Sequence, residues 1–177
     1  MTDSATANET PFGRREGETA LDFDPAEASP DAGLIFIGHV VSPWKTREDC
    51  PKNMAAARER GLPASVTIDL PYLPGLAGLE GFSHVAVLTW FQHAPRNLII
   101  QKPRHAEKPK GVFALRSPAR PNPVGLHIVR LTALDIDQGI LTLDAIDALD
   151  GTPVIDVKPY FASVDAYPDA IRPGTGR

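Results

Sequence analysis

A single cysteine, Cys50, excludes an internal disulfide framework. No apolar run approaches the roughly 20 residues that a membrane-spanning helix needs. The first ten residues are polar and acidic without an apolar core, which sets aside a secretory signal. Together these absences predict a soluble cytoplasmic protein with no membrane partner. No glycine-rich turn follows a strand and opens a helix, so a dinucleotide-binding fingerprint is missing, as are a phosphate-binding Walker loop and internal repeats. The histidines (His39, His84, His93, His105 and His127) are scattered, and none has metal-ligand spacing with another His or Cys, so no metal site is expected. Ser42 and Ser117 have no nucleophile elbow around them. Cys50 has no nucleophile signature and reads as an inert small side chain.

Charge, in contrast, is distributed unevenly. Residues 1–32 hold eight acids against two bases, with Phe12, Leu21 and Phe23 the main apolar interruptions. That segment reads as a flexible acidic N-terminal arm outside the fold. Residues 96–130 hold eight bases against Glu107 alone. Such a segment suits a polyanionic partner, and it equally suits a solvated basic loop.

The pattern from residue 34 onward is that of strands. Residues 34–41, 64–70, 82–91, 125–134, 140–146 and 153–160 are apolar or alternating. Val66, Ile68 and Leu70 are expected on one face, and 82–91 is apolar enough to be buried on both. Ile155 and Val157 are expected to point opposite Asp156 and Lys158. His84, inside an apolar run, reads as a core histidine. Residues 135–139 (DIDQG) predict a hairpin turn, and 53–60, stopped by Gly61, predict the one good helix. The expected fold is all-β: a compact β-barrel with short helical connections over 33–167, preceded by the arm over 1–32 and followed by a loose tail over 168–177.

The most informative stretch is 111–126, GVFALRSPARPNPVGL. It reads as a short apolar strand running into Arg116 and Arg120. Pro118, Pro121 and Pro123 lock the backbone and remove donors, which excludes helix and central strand. A rigid cationic loop of this kind suits a phosphate, a carboxylate or a flat cofactor. Three further strand-end turns accompany it: SPWKTREDCPKN at 42–53, LEGFSH at 79–84 and DGTPVIDVKPY at 150–160. Ligands on β scaffolds are held by such turns.

In this order the four blocks resemble the TsaA-like family, whose characterised members are TrmO-type tRNA methyltransferases. The resemblance covers residues 34–167. It implies a β-barrel, a homodimer and S-adenosyl-L-methionine (SAM) as methyl donor, which accords with the missing dinucleotide fold. It also implies a tRNA substrate: threonylcarbamoyl-adenosine beside the anticodon, methylated at N6. Carried over by position, the cofactor contacts are Pro51, Lys52 and Asn53 in the first turn, and Gln92 and His93 after the long apolar strand. Arg116 and Leu126 follow in and beyond the proline loop, then Asp150, Gly151, Thr152 and Pro153 in the last turn. Arg116 suits the methionine carboxylate. Arg104 and Arg120 are candidates for substrate phosphates, with the rest of 96–110.

Methyl transfer from a sulfonium is an in-line displacement, for which alignment supplies much of the rate. Asp150, Asp156 and His93 are the groups available to take the N6 proton, and the sequence does not choose among them. The bacterial enzymes of this type carry a further C-terminal domain, whereas this sequence stops at Arg177. Two alternatives therefore stand beside the tRNA reading: a SAM-dependent methyltransferase of a small molecule, and a SAM-binding regulator without catalysis.

Overall fold

The computed structural model describes residues 14–29, 31–103, 106–171 and 173. Residues 1–13 and 30 of the expected arm, Arg104, His105 and half of the expected tail (172 and 174–177) lie outside the described residues. In chain order the elements are β1 (Thr19–Ala20), β2 (Gly38–Val41), α1 (Met54–Arg60), β3 (Ala64–Ile68), β4 (His84–Trp90), β5 (Leu98–Gln101), β6 (Lys110–Gly111), β7 (Val124–Asp135), β8 (Ile140–Leu143), β9 (Pro153–Pro159) and α2 (Ala162–Asp165). Short 3-10 turns span Leu70–Leu76 and Val112–Ala114. The chain divides into two compact units, one of residues 1–35 with 90–125 and one of residues 36–89 with 126–177.

The second unit carries the barrel. Six strands close in the order β2-β3-β8-β7-β4-β9, so the all-β expectation holds. Val40, Val66, Val85, Val87, Val129, Leu141, Leu143, Ile146 and Val154 are fully buried and fill it. Gly38 is required where β2 crosses β3, because a Cβ there would lie 2.1 Å from the Thr67 carbonyl oxygen. Asn53 starts α1 by accepting the Ala56 N–H at 2.9 Å, and Gly61 ends it in the left-handed region with φ 63°. The expected hairpin joins β7 to β8, with Asp135 opposite Ile140. In it the Asp135 carboxylate accepts the Gln138 N–H at 3.0 Å.

Several local expectations are corrected. The 82–91 run is not buried on both faces: β4 alternates, with Val85, Val87 and Thr89 inside and their neighbours half-buried. Leu70 does not share a face with Val66 and Ile68; it is 80% exposed and opens the turn that follows β3. His84 is half-buried, with Nδ1 2.9 Å from the Ser83 hydroxyl. Among the described residues the buried histidine is His127.

The first unit contains the sheet β1-β5-β6 and the proline loop. The segment expected as a free arm is docked over part of its length. Thr19 pairs with Ile100 and Ala20 with Leu98, which covers the edge of β5. The Glu18 carboxylate accepts the Lys102 N–H at 3.1 Å, and Arg15 Nη1 donates to the Lys102 carbonyl at 3.0 Å. Residues 112–114 form a 3-10 turn rather than a strand, with the Leu115 N–H donating to Val112 at 3.1 Å. The loop is held by side chains that reach its carbonyls, which suits a backbone deprived of donors by proline. Arg96 Nε donates to Pro121 at 2.7 Å, and Gln101 donates to Ala119.

Candidate functional site

In the barrel unit the first and last expected turns are zipped together. The buried Ser42 hydroxyl donates to the Ala148 carbonyl at 2.9 Å and accepts the Trp44 N–H at 3.3 Å. Trp44, itself buried, donates from Nε1 to the Ile146 carbonyl at 2.7 Å. Arg60 stacks on its ring at 4.9 Å. Backbone bonds continue the contact: Asp150 N–H to Trp44 O at 2.8 Å, Gly151 N–H to Val40 O at 2.8 Å and Val40 N–H to Thr152 O at 2.9 Å.

The tip of the last turn follows its sequence. The Thr152 N–H closes the turn onto Leu149 at 3.2 Å, and Gly151 at its third position has φ 73°. A type II turn requires that conformation there. The Asp150 carboxylate accepts the Ser42 N–H at 3.0 Å and pairs with Lys45 Nζ at 2.7 Å. The hydrogen bond from Lys45 holds it below the usual carboxylate range, with help from Ser42. Thr152 is buried, its hydroxyl donating to Leu149 O at 2.7 Å.

The first turn supplies Pro51, buried, and Lys52 and Asn53, exposed. Asn53 was expected as a cofactor contact, and its side-chain oxygen is engaged as the cap of α1. Cys50 precedes them. Burial, with the charge of Asp147, pushes its thiol up to about 11, so it stays protonated near neutral pH.

Leu126 stands half-exposed on β7, and the next residue, His127, turns inward. The His127 ring is bonded on both sides, Nδ1 to Asp147 Oδ1 at 2.6 Å and Nε2 to the Thr89 hydroxyl at 3.0 Å. The sequence reading missed this Thr89–His127–Asp147 chain. The signal available was the alternation along β7, which puts His127 opposite in facing to Leu126.

In the other unit, Gln92 and His93 are exposed in the turn after β4. That turn is closed by Ala94 N–H to Phe91 O at 2.9 Å and joined to the proline loop by Phe91 N–H to Pro123 O at 2.9 Å. Arg116 is exposed on the loop. Arg120, expected at substrate, turns back into the loop: Nη2 donates to Val112 O at 2.8 Å and Leu115 O at 3.2 Å. Arg104 is outside the described residues. A cavity of about 300 Å³ in this unit is lined by Arg15, Glu16, Lys102 and Pro103, none of them an expected cofactor contact.

Among the described residues no group of three or more His, Cys, Asp and Glu could hold a metal ion. None of the helices there is long and apolar enough to cross a membrane.

The model of the tRNA-methyltransferase O N-terminal domain matches residues 39–166. A "probable S-adenosyl-L-methionine-binding protein" of Methanothermobacter thermautotrophicus is 46% identical over 73% of this chain and 90% of its own length. The "tRNA (adenine(37)-N6)-methyltransferase" of Escherichia coli is 36% identical over 76% of this chain, which spans 60% of that enzyme. The crystal structure of TrmO from Pseudomonas aeruginosa superposes with a TM-score of 0.65 at 33% identity, over 83% of this chain and 63% of that one. The chain belongs to the tRNA-methyltransferase O N-terminal domain family.

Proposed function

We propose that the protein is a SAM-dependent methyltransferase that modifies N6 of an adenine in tRNA, with threonylcarbamoyl-adenosine beside the anticodon as the specific acceptor. The observation that carries the reading is the family match over residues 39–166, which takes in both turns zipped at Asp150. In the barrel unit the cofactor contacts are assigned to Pro51, Lys52, Asn53, Leu126 and the 150–153 turn. In the other unit they are assigned to Gln92, His93 and Arg116. Asn53 contributes through its backbone, since its side-chain oxygen caps α1. Asp150 enters the site as an ionised, Lys45-paired carboxylate, suited to accepting hydrogen bonds.

SAM, when bound, supplies the electrophilic methyl group. The protein's part is alignment and removal of the N6 proton. Asp150 is a weak base because its pKa is lowered, and Asp156 is paired with Lys158 Nζ at 2.7 Å. Of the groups expected to take the proton, the exposed imidazole of His93 is therefore assigned the role. Lys108 and Lys110, both exposed, are assigned to tRNA phosphates, which makes binding fall with salt. A cytoplasmic homodimer completes the reading.

A second reading, cofactor binding without methyl transfer, is favoured by the Methanothermobacter relative, named for SAM binding alone, whose length this chain nearly covers. The test incubates the protein with SAM labelled in its methyl group and tRNA that carries threonylcarbamoyl-adenosine. Label in the modified adenine supports the enzyme. SAM binding with no label in tRNA at stoichiometric protein overturns it in favour of the second reading.

A further inference from the structure

The His127 imidazole is 2% exposed and lies between three elements of the barrel unit. It stands on β7, its Nε2 meets Thr89 of β4 at 3.0 Å, and its Nδ1 meets Asp147 at 2.6 Å. Asp147 belongs to the irregular segment between β8 and β9, three residues before Asp150. The end of that segment, residues 150–152, is bonded through its backbone to Trp44 and Val40. Its approach, residues 146–148, is reached by the Ser42, Trp44 and His127 side chains. Of these ties, His127 is the one whose chain neighbour, Leu126, is itself assigned to the cofactor.

We propose that His127 is a positioning residue for the methyl donor: its Nδ1 bond to Asp147 sets the 150–153 turn against Leu126 before SAM arrives. The proposal rests on the reading that Leu126 and residues 150–153 contact SAM. The carboxylate on Nδ1 demands an N–H there, and in the neutral ring Nε2 then accepts the Thr89 hydroxyl proton. With both nitrogens engaged the ring has one orientation, and Asp147 has one place to go. Thr89 is fully buried, so the chain of three ends inside the core and does not reach substrate. Its effect on the reaction is through the turn. A turn already in its bound geometry lowers the ordering cost of binding. Cys50 senses the same carboxylate, since the charge of Asp147 raises its thiol.

The two bonds of the ring separate cleanly by substitution. An asparagine amide reaches about as far as Nδ1 and keeps a donor for Asp147, whereas a glutamine amide reaches toward the Nε2 position and keeps the Thr89 contact. SAM is titrated into the protein by calorimetry, with melting temperature measured on the same samples. His127→Asn is expected to bind SAM within about threefold of the unmodified protein, and His127→Gln at least about tenfold more weakly at unchanged stoichiometry. A purely structural histidine predicts another pattern: lower melting temperature and lower stoichiometry in both variants, with unchanged Kd in the folded fraction. That pattern, or equal loss of affinity in both, overturns the proposal. If His127→Gln does not fold, Asp147→Ala removes the same bond from a part-exposed position and carries the same expectation. Failure of the unmodified protein to bind SAM overturns the methyl-donor reading and this proposal with it. SAM binding with one Kd across all variants overturns the proposal alone.

Discussion

Asp150 holds two partners at once, Lys45 Nζ on Oδ2 at 2.7 Å and the Ser42 N–H on Oδ1 at 3.0 Å. Both favour the ionised carboxylate, and its pKa in the folded protein lies below the ordinary value, the Lys45 hydrogen bond being the larger cause. A carboxylate with a depressed pKa contributes stability above its unfolded-state pKa, and that contribution is lost as pH falls through the folded value. Asp150→Asn is therefore expected to melt lower than the unmodified protein at neutral pH, and the two melting curves should converge on acidification below pH about 4. The neutral-pH gap stays under about 1 kcal/mol, because the side chain is 34% exposed and water screens the pair. Thermal melts between pH 3 and pH 7 check this, and parallel curves would reject the assignment.

Gly38 marks a close approach of two barrel strands. A Cβ at this position would lie 2.1 Å from Thr67 O and 3.0 Å from Ile68 Cα, both backbone atoms of the paired strand. Neither atom can move without opening the β2–β3 ladder. Gly38→Ala is expected to cost at least about 3 kcal/mol by urea denaturation, in the range of severe overpacking. Gly75→Ala, where an added Cβ meets nothing within 4 Å, is the control and should stay within about 0.5 kcal/mol.

The strands were legible in the sequence because burial on one face leaves an alternation that backbone pairing then obeys. β3, β7 and β9 lie within two residues of where the pattern put them. Leu70 shows where the pattern stops informing: it continues the alternation of β3, yet Pro71 follows it and the chain leaves the sheet. β1 and β6 were not legible, because two-residue strands carry no period. Among candidate site residues, turn chemistry was readable where one residue type is required, as at Gly151 with φ 73°. Arg120 was not placed by the sequence because a cation in a proline-rich loop has two outlets, a ligand or the carbonyls that proline leaves without partners. The structure shows it on the carbonyls of Val112 and Leu115. His127 was hidden for a similar reason: a histidine on a core face is recognised only by its partners, which come from 38 residues before and 20 after.

Cys50 gives a chemical readout of the same region. Its thiol titrates at about 11 through burial first and the Asp147 charge second, opposed by Arg60. At pH 8.5 alkylation by iodoacetamide should run tens of times slower than for a small-molecule thiol, since the thiolate is the reacting species. Asp147→Asn removes the second cause and should speed the reaction severalfold, while urea should abolish the difference between the two proteins. Equal rates in the folded proteins would show that the Asp147 charge does not reach the thiol.

Arg120 and Arg116 stand four residues apart on one loop; the first is bonded to the loop itself, and the second is the one proposed for the cofactor. Arg120 Nη2 bridges Val112 O and Leu115 O, closing the turn that precedes Arg116. Lysine has one donor group at the end of a flexible stem and cannot reproduce a planar nitrogen held between two carbonyls. Arg120→Lys should therefore lower stability by about 1 kcal/mol, the net worth of a hydrogen bond to a charged donor that is partly replaced. It should weaken SAM binding only as far as the loop loosens, and the loss should shrink on cooling. Arg116→Lys keeps the charge but loses the fork that matches a carboxylate, so SAM affinity should fall about tenfold with little temperature dependence. Calorimetric titrations at 10 °C and 30 °C, paired with urea denaturation of each variant, separate the two. If Arg120→Lys lost affinity as Arg116→Lys does, with no loss of stability, Arg120 would belong to the ligand and not to the loop.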